Sequence, residues 1–160
     1  MSIVWRDKVL SSYNGNIESV LIQDGEVPNG VFVTLGELAD KGREVKVATL
    51  GADGDGDALL VASPEVLYEA GKELDDFVNE AGKVARAFRL ADGDVISLTA
   101  DLITGEPAVG ETFIVGADGK LAKSVAEEGE ETAVLQFKVR EDAGNELTKK
   151  QKAWRFDIVK

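Results

Sequence analysis

Short apolar runs of strand length recur along most of this chain, and each is bounded by Gly, Asn or Asp. Clear examples are VFVTLGEL at 31–38, EVKVATL at 44–50 and AVLQFKVRE at 133–141. Branched residues favour extended backbone, while Gly, Asn and Asp favour the tight turns that end a strand. The pattern therefore predicts a mainly β fold, either a β-barrel or a β-sandwich, with about nine short strands.

Two Asp-Gly pairs mark predicted β-hairpins, because Asp-Gly favours the turns that join adjacent antiparallel strands. The first hairpin pairs 83–91 with 94–103 through Asp92-Gly93, and the second pairs 112–116 with 120–125 through Asp118-Gly119. At the end of the chain, the alternation of WRFDIV predicts a strand with one apolar face. That face carries Trp154, Phe156 and Ile158.

One segment has helical spacing of its apolar residues. It begins at Ser63-Pro64, a favourable helix start, and it ends before Gly82. Gly71 lies inside the pattern and disfavours helix by about 1 kcal/mol relative to Ala. We therefore predict one short helix near 72–80.

The length of 160 residues suits one domain, and no repeat or low-complexity linker divides the chain. Residues 1–16 show no clear period, and we interpret them as an extended N-terminal arm ahead of a single β-rich domain, 17–160. Because Trp5 can bury a large apolar area, the arm either folds back on the domain or lies on a partner.

The amino-acid composition excludes several classes of catalytic and metal-binding site. The chain has no Cys and no His, which excludes thiol nucleophiles, disulfides, imidazole bases and the usual zinc sites. Adjacent carboxylates on polar loops share one environment and do not make an acid–base pair. The Gly-rich segments lack the Lys-Ser/Thr of a phosphate-binding loop. We expect no enzymatic activity and no cofactor.

The net charge of −12 disfavours nucleic acid and anionic membranes as partners. The sequence has neither a signal-peptide pattern at its start nor an apolar stretch of about 20 residues, so we expect synthesis in the cytoplasm. From Lys138 onward seven basic and four acidic residues give +3, which leaves −15 for the residues before it. This asymmetry is either the solvated surface of an acidic protein or a dipole that docks on a partner or on another copy.

A metal candidate lies in the DGDGD segment, where Asp53, Asp55 and Asp57 could offer oxygen ligands to Ca²⁺. The remainder of an EF-hand loop is missing, because Ala58 stands where Gly is needed and Pro64 stands where a bidentate Glu is needed. We interpret the segment as a solvated turn, with weak Ca²⁺ binding as the alternative.

Arg86 and Arg89 flank Phe88 on a predicted strand. Such a set can stack on bases or sugars. In a chain this acidic, we favour ion pairs between these arginines and the acidic segment 65–80.

Two segments carry a family resemblance: LDDFVNEAGKVARAFRLADGDVISL at 74–98, and PAVGETFIVGADGKLAKSVA at 107–126 followed by AVLQFKVRE. Over 74–141 the chain resembles small structural proteins of tailed bacteriophages that decorate and stabilise the capsid. The resemblance implies a virion protein made in the host cytoplasm and bound to the outer lattice of the major capsid protein, as a trimer at three-fold or quasi-three-fold positions. It also implies a terminal arm that lies on the lattice, which makes Ile3, Val4, Trp5 and Arg6 the candidate partner contacts. The alternatives are a tail or connector component, or a Ca²⁺- or carbohydrate-binding β module.

Overall fold

The computed structural model describes residues 2–8, 17–23, 25–40, 44–52, 57–67, 71–124 and 135–160. Within these residues, twelve strands form a closed five-stranded barrel and a seven-stranded sheet, so the mainly β prediction is confirmed. No helix in the described part of the chain is long and apolar enough to cross a membrane.

Twelve strands and two single 3-10 turns make up the regular structure of the described residues. The strands are β1 Val4–Lys8, β2 Ile17–Ile22, β3 Phe32–Leu38, β4 Val45–Leu50, β5 Leu59–Val61, β6 Val84–Arg89, β7 Val95–Thr99, β8 Ile103–Thr104, β9 Thr112–Val115, β10 Leu121–Lys123, β11 Gln136–Gly144 and β12 Ala153–Val159. The 3-10 turns are Leu74–Asp76 and Ala100–Leu102. The sequence pattern did not predict β1 or the two-residue β8.

The barrel has the strand order β2-β4-β3-β5-β6, and β6 closes it by pairing with β2. Among the strand pairs of the barrel, β2 and β4 are parallel and the other pairs are antiparallel. Register places one face of each strand inside, and alanines on β6 suit the narrow interior of so small a barrel. Interior residues at most 4% exposed are Val20, Val33, Leu59, Val61, Ala85 and Ala87.

The seven-stranded sheet has the order β1-β7-β12-β11-β9-β10-β8 and packs one face against the outside of the barrel. Phe32 pairs in register with Leu60, and Leu60 with Phe88, so the three share the outer face of the barrel. All three are buried, and the Phe32 ring meets Phe137 of β11 edge-on with centroids 4.9 Å apart. One continuous apolar core therefore joins the two layers.

A backbone contact without intervening side chains joins the β9–β10 turn to the barrel. The Phe32 N–H donates to the Gly119 carbonyl over 2.8 Å, and the Gly51 N–H donates to the Phe32 carbonyl over 3.0 Å. Gly119 has φ +75°, and a Cβ there would lie 2.6 Å from the Phe32 carbonyl oxygen. Glycine is therefore required at this position for both its conformation and its size.

Of the two hairpins predicted at Asp-Gly pairs, one is present and the other is not. The hairpin at Asp118-Gly119 is confirmed as β9 and β10, with Val115 opposite Leu121. The hairpin at Asp92-Gly93 is wrong, because β6 pairs with β2 and β5 whereas β7 pairs with β1 and β12. Both edges of β6 are occupied by barrel strands, so the chain crosses to the other sheet at this turn.

The helix predicted near 72–80 is present only as the 3-10 turn Leu74–Asp76. A reciprocal cap between Glu73 and Asp76 holds this turn, and the backbone returns to extended geometry at Phe77. Asn79 then exchanges two backbone hydrogen bonds with Val27, at 2.7 and 3.0 Å. This pairing draws the chain along the barrel and leaves no room for a longer helix.

Candidate partner-binding surface

Residues 4–8 of the predicted N-terminal arm form β1, an edge strand of the seven-stranded sheet. Val4 lies opposite Leu98 and Trp5 opposite Ser97 of β7. Val4 is buried on the barrel side, whereas the Trp5 side chain points to the other face and is 46% exposed. Residues 9–16 lie outside the described residues. The edge strand thus presents one large aromatic group to solvent.

A groove of about 370 Å³ runs beside β1. It is lined by Val4, Trp5, Arg6, Asp7 and Glu65, and these five residues are named the N-terminal surface. Four of them come from the edge strand and the fifth from the segment that follows β5. The groove is therefore built from two parts of the chain that lie far apart in sequence.

Arg6 is fixed by an aromatic ring beneath it. Its guanidinium carbon lies 4.7 Å from the centroid of the Phe88 ring, a cation–π distance. Phe88 is buried, so its ring cannot stack on a base or a sugar. Arg89 pairs with Asp57, which lies outside the 65–80 segment predicted to pair with it.

Asp7 lies on the outer face of the sheet and is held from two sides. Ser97 Oγ donates to Asp7 Oδ2 over 2.6 Å, and Arg155 Nε lies 3.5 Å from the same oxygen. Arg155 also pairs with Glu141, and it lies 3.7 Å from Glu146. The charged groups at the end of β1 are therefore cross-linked to β7, β11 and β12.

The position of Glu65 is set by a buried amide. Asn29 is only 2% exposed, and its Nδ2 donates to Glu65 Oε1 over 3.1 Å and to the Ser63 carbonyl over 2.9 Å. Its Oδ1 accepts from the Ser63 N–H at 2.9 Å and from Asn79 Nδ2 at 3.1 Å. This network fastens the 63–65 segment to the barrel and makes the far wall of the groove rigid.

The start of β1 is fastened by Asp101, a half-buried residue of the second 3-10 turn. Burial by itself raises the pKa of Asp101, but the opposing effects, the largest of which are hydrogen bonds donated by Ser2 and Thr99, together outweigh it and hold the pKa below its ordinary value of 3.8. The carboxylate is therefore ionised at neutral pH and available as an acceptor.

A second surface adjoins the first along the chain, because Glu65 of the groove precedes Val66. Val66, Leu74 and Val78 are exposed, and they lie at or beside a cavity of about 190 Å³. These three residues are named the apolar cleft. Lys72, Asp76 and Glu80 also line the cavity, so its rim carries charges of both signs.

The basic residues of the C-terminal segment are largely compensated within the molecule. Their partners lie on neighbouring strands and loops, so the +3 charge of this segment does not form a basic surface. Among the described residues, five of these basic side chains pair with carboxylates: Arg140 with Asp157, Lys150 with Glu73, Lys152 with Asp142, Arg155 with Asp7, Glu141 and Glu146, and Lys160 with Asp57.

For the calcium candidate, Asp53 and Asp55 lie outside the described residues. Asp57 contacts Arg89, and Lys160 Nζ lies 3.6 Å from its other oxygen. In the described ranges, no group of three His, Cys, Asp or Glu side chains is placed to hold a metal ion.

The sequence indicated four contact residues, and the structure brings three of them, Val4, Trp5 and Arg6, into one groove, while Ile3 is half-buried beside it. Sequence reasoning missed Asp7 and Glu65, and Glu65 carries no local signal that could have found it. Comparison of the chain with protein-family models, with curated proteins and with solved structures gave no match.

Proposed function

We propose that this chain is a structural protein of a tailed-phage virion. In this proposal it binds the outside of the capsid lattice through the N-terminal surface, as a trimer, and stabilises the head. The observation that carries the proposal is the half-exposed Trp5 on an edge strand that pairs with β7 and is held on both faces, by the Arg6–Phe88 contact and the Asp7–Ser97 hydrogen bond. The resemblance of residues 74–141 to capsid-decorating proteins supports the class of partner.

Trp5 is suited to act as the energetic centre of such a contact. Tryptophan side chains dominate protein interfaces because they bury a large, rigid area. Covering roughly 100 Å² of its remaining exposed surface, at about 25 cal/mol per Å², contributes about 2.5 kcal/mol. The many copies on a lattice make a modest contact of this kind sufficient for stable decoration.

The body behind the contact has the stiffness that the role requires. The barrel and the sheet share one apolar core, and a direct backbone hydrogen bond from Phe32 to Gly119 joins them. A protein that bridges capsid subunits must resist deformation in order to transmit load between them. A closed barrel packed on a seven-stranded sheet meets this requirement with few open strand edges.

The test is binding of Trp5→Ala to expanded heads purified without this protein, measured by co-sedimentation. We expect affinity to fall by about tenfold or more while the melting temperature of the free protein changes little. Val109→Ala is the matched control, because Val109 is 67% exposed and lies outside the N-terminal surface. Deletion of residues 1–6 is a blunter variant, because it also removes the buried Val4.

Occupancy on imaged heads distinguishes the proposal from its nearest alternative. Saturation at numbers tied to the three-fold positions of the lattice supports decoration. Ring-like, low stoichiometry on tails or at the portal supports a tail or connector component instead. Equal binding of wild type and Trp5→Ala to heads contradicts the proposed contact.

A further inference from the structure

One carboxylate, that of Asp101, receives hydrogen bonds from three separate parts of the chain. Ser2 Oγ donates to Oδ2 over 2.5 Å, and Thr99 Oγ1 and Gln151 Nε2 donate to Oδ1 over 2.8 and 3.0 Å. These donors lie ahead of β1, at the end of β7 and just before β12. A single side chain therefore joins the start of the edge strand to the body of the sheet.

The hydroxyl of Thr99 makes this carboxylate part of the β1–β7 pairing. The Ile3 N–H donates to Thr99 Oγ1 over 3.0 Å, and the Thr99 N–H donates to the Ile3 carbonyl over 3.3 Å. The hydroxyl has one proton, and Asp101 at 2.8 Å is a closer and stronger acceptor than the Ile3 carbonyl at 3.4 Å. With that proton directed to Asp101, the oxygen lone pairs face the Ile3 N–H.

The pairing of Ile3 with Thr99 also affects Trp5, which lies two residues further along β1. In an antiparallel ladder the hydrogen-bonded pairs alternate, so the pair after Ile3 and Thr99 is Trp5 and Ser97. An edge strand that loses the hydrogen-bonded pair at one of its ends frays from that end. The carboxylate of Asp101 therefore acts two residues away from the backbone that presents Trp5.

We propose that Asp101 is the positioning residue of the N-terminal surface. Its carboxylate holds the start of β1 against β7 and against the residues before β12, so that Trp5 is presented in one fixed place. Preorganisation of this kind raises affinity because less conformational entropy is lost on binding. The consequence for partner binding rests on the proposed function, whereas the effect on β1 itself is a property of the isolated protein.

Hydrogen exchange of the free protein tests the positioning role. In Asp101→Ala, the Ile3 and Trp5 amides, which face β7, are expected to exchange about tenfold faster or more, with β2 and β6 unchanged. Asp118→Ala is the matched control, because it removes a surface carboxylate that accepts one backbone hydrogen bond, from Lys120. Asp101→Asn keeps an acceptor for Thr99 and is expected to restore part of the protection.

A second variant keeps the test decisive if Asp101→Ala does not fold. Ser2→Ala removes one donor to Asp101 and is expected to speed exchange of the Ile3 and Trp5 amides about threefold. Acrylamide quenching of Trp5, measured in a Trp154→Phe background, should rise in parallel. Exchange of these amides at the rate of the Asp118→Ala control, in both Asp101→Ala and Ser2→Ala, overturns the inference.

Binding to heads separates the two proposals. If wild type binds, Asp101→Ala is expected to bind about tenfold more weakly although Trp5 is intact. If wild type does not bind heads, the proposed function fails, yet the exchange result still decides whether Asp101 fixes β1. If wild type and Asp101→Ala bind equally while exchange differs, positioning does not contribute to recognition and that part of the inference is wrong.

Discussion

The substitution Asn29→Ala probes the buried amide that fastens the 63–65 segment to the barrel. The Asn29 side chain makes four hydrogen bonds at 2.9–3.1 Å, to Ser63, Glu65 and Asn79. A neutral hydrogen bond contributes about 1 kcal/mol net, and a buried group that loses its partner costs more than that. Alanine leaves the Ser63 N–H and the Asn79 amide each one partner short, so we expect a loss of about 3–4 kcal/mol.

Thermal and urea unfolding followed by circular dichroism measure this loss directly. For a chain of this length 1 kcal/mol corresponds to about 2–4 °C, so the melting temperature should fall by about 10 °C. Asn145→Ala is the control, since Asn145 is exposed and has one side-chain hydrogen bond, at 3.3 Å, to the Lys149 carbonyl. That variant should stay within about 0.5 kcal/mol of wild type.

The loss of protection in Asn29→Ala should be concentrated in the 63–65 segment. The Ser63 amide loses its acceptor, so its exchange should accelerate more than that of the amides of β4, a barrel strand that pairs with neither β5 nor β6. A loss below about 1 kcal/mol, or a loss no greater than in Asn145→Ala, would refute the view that this network determines stability. Uniform acceleration across the barrel would refute the view that its effect is local.

Two further predictions concern the junction and acid stability. Gly119→Ala places a Cβ 2.6 Å from the Phe32 carbonyl at a residue with φ +75°, so we expect a loss of about 2 kcal/mol or more in urea unfolding, against a neutral Ala117→Gly. Because the pKa of Asp101 is lower in the folded state, its contribution is complete above its ordinary value of 3.8 and disappears as the pH falls through the lower folded value. Unfolding titrations should therefore show a smaller acid-induced loss between pH 5 and pH 2 in Asp101→Ala than in wild type; equal losses would contradict this.

The sequence predicted those parts of the fold that depend on neighbouring residues. Strands β11 and β12 follow a period of two, and their alternate apolar residues, Phe137 and Phe156 among them, are buried as that period requires. The turn at Asp118-Gly119 is a hairpin because its flanking strands pair with each other. Asp92-Gly93 has the same local chemistry, but the partners of its flanking strands lie elsewhere in the chain. Local pattern specifies that a turn forms and leaves open which strands pair.

In the candidate surface, too, some residues are indicated by local sequence whereas others are brought in from distant positions. An apolar cluster that includes Trp5 drew attention to the edge strand, because a tryptophan near a chain end is conspicuous in sequence. The residues that fix this strand are distant: Ser2 and Asp101 are separated by 99 positions, and Ser97 and Asp7 by 90. No spacing rule connects positions so far apart, so their role becomes evident only when the sheet is assembled.

Counting charges along the sequence does not predict how they are distributed on the folded protein. The C-terminal segment is basic by count, yet β12 lies in the middle of the sheet, where Arg155 faces acidic groups contributed by β1 and β11. Pairing of strands mixes charges that the sequence keeps apart. The N-terminal surface itself combines Arg6 with Asp7 and Glu65, so long-range attraction cannot dominate its encounter with a partner. In the proposed contact, complementarity to the half-exposed Trp5 supplies most of the binding free energy, so we expect the anchoring of β1 to matter more for recognition than the net charge of the chain.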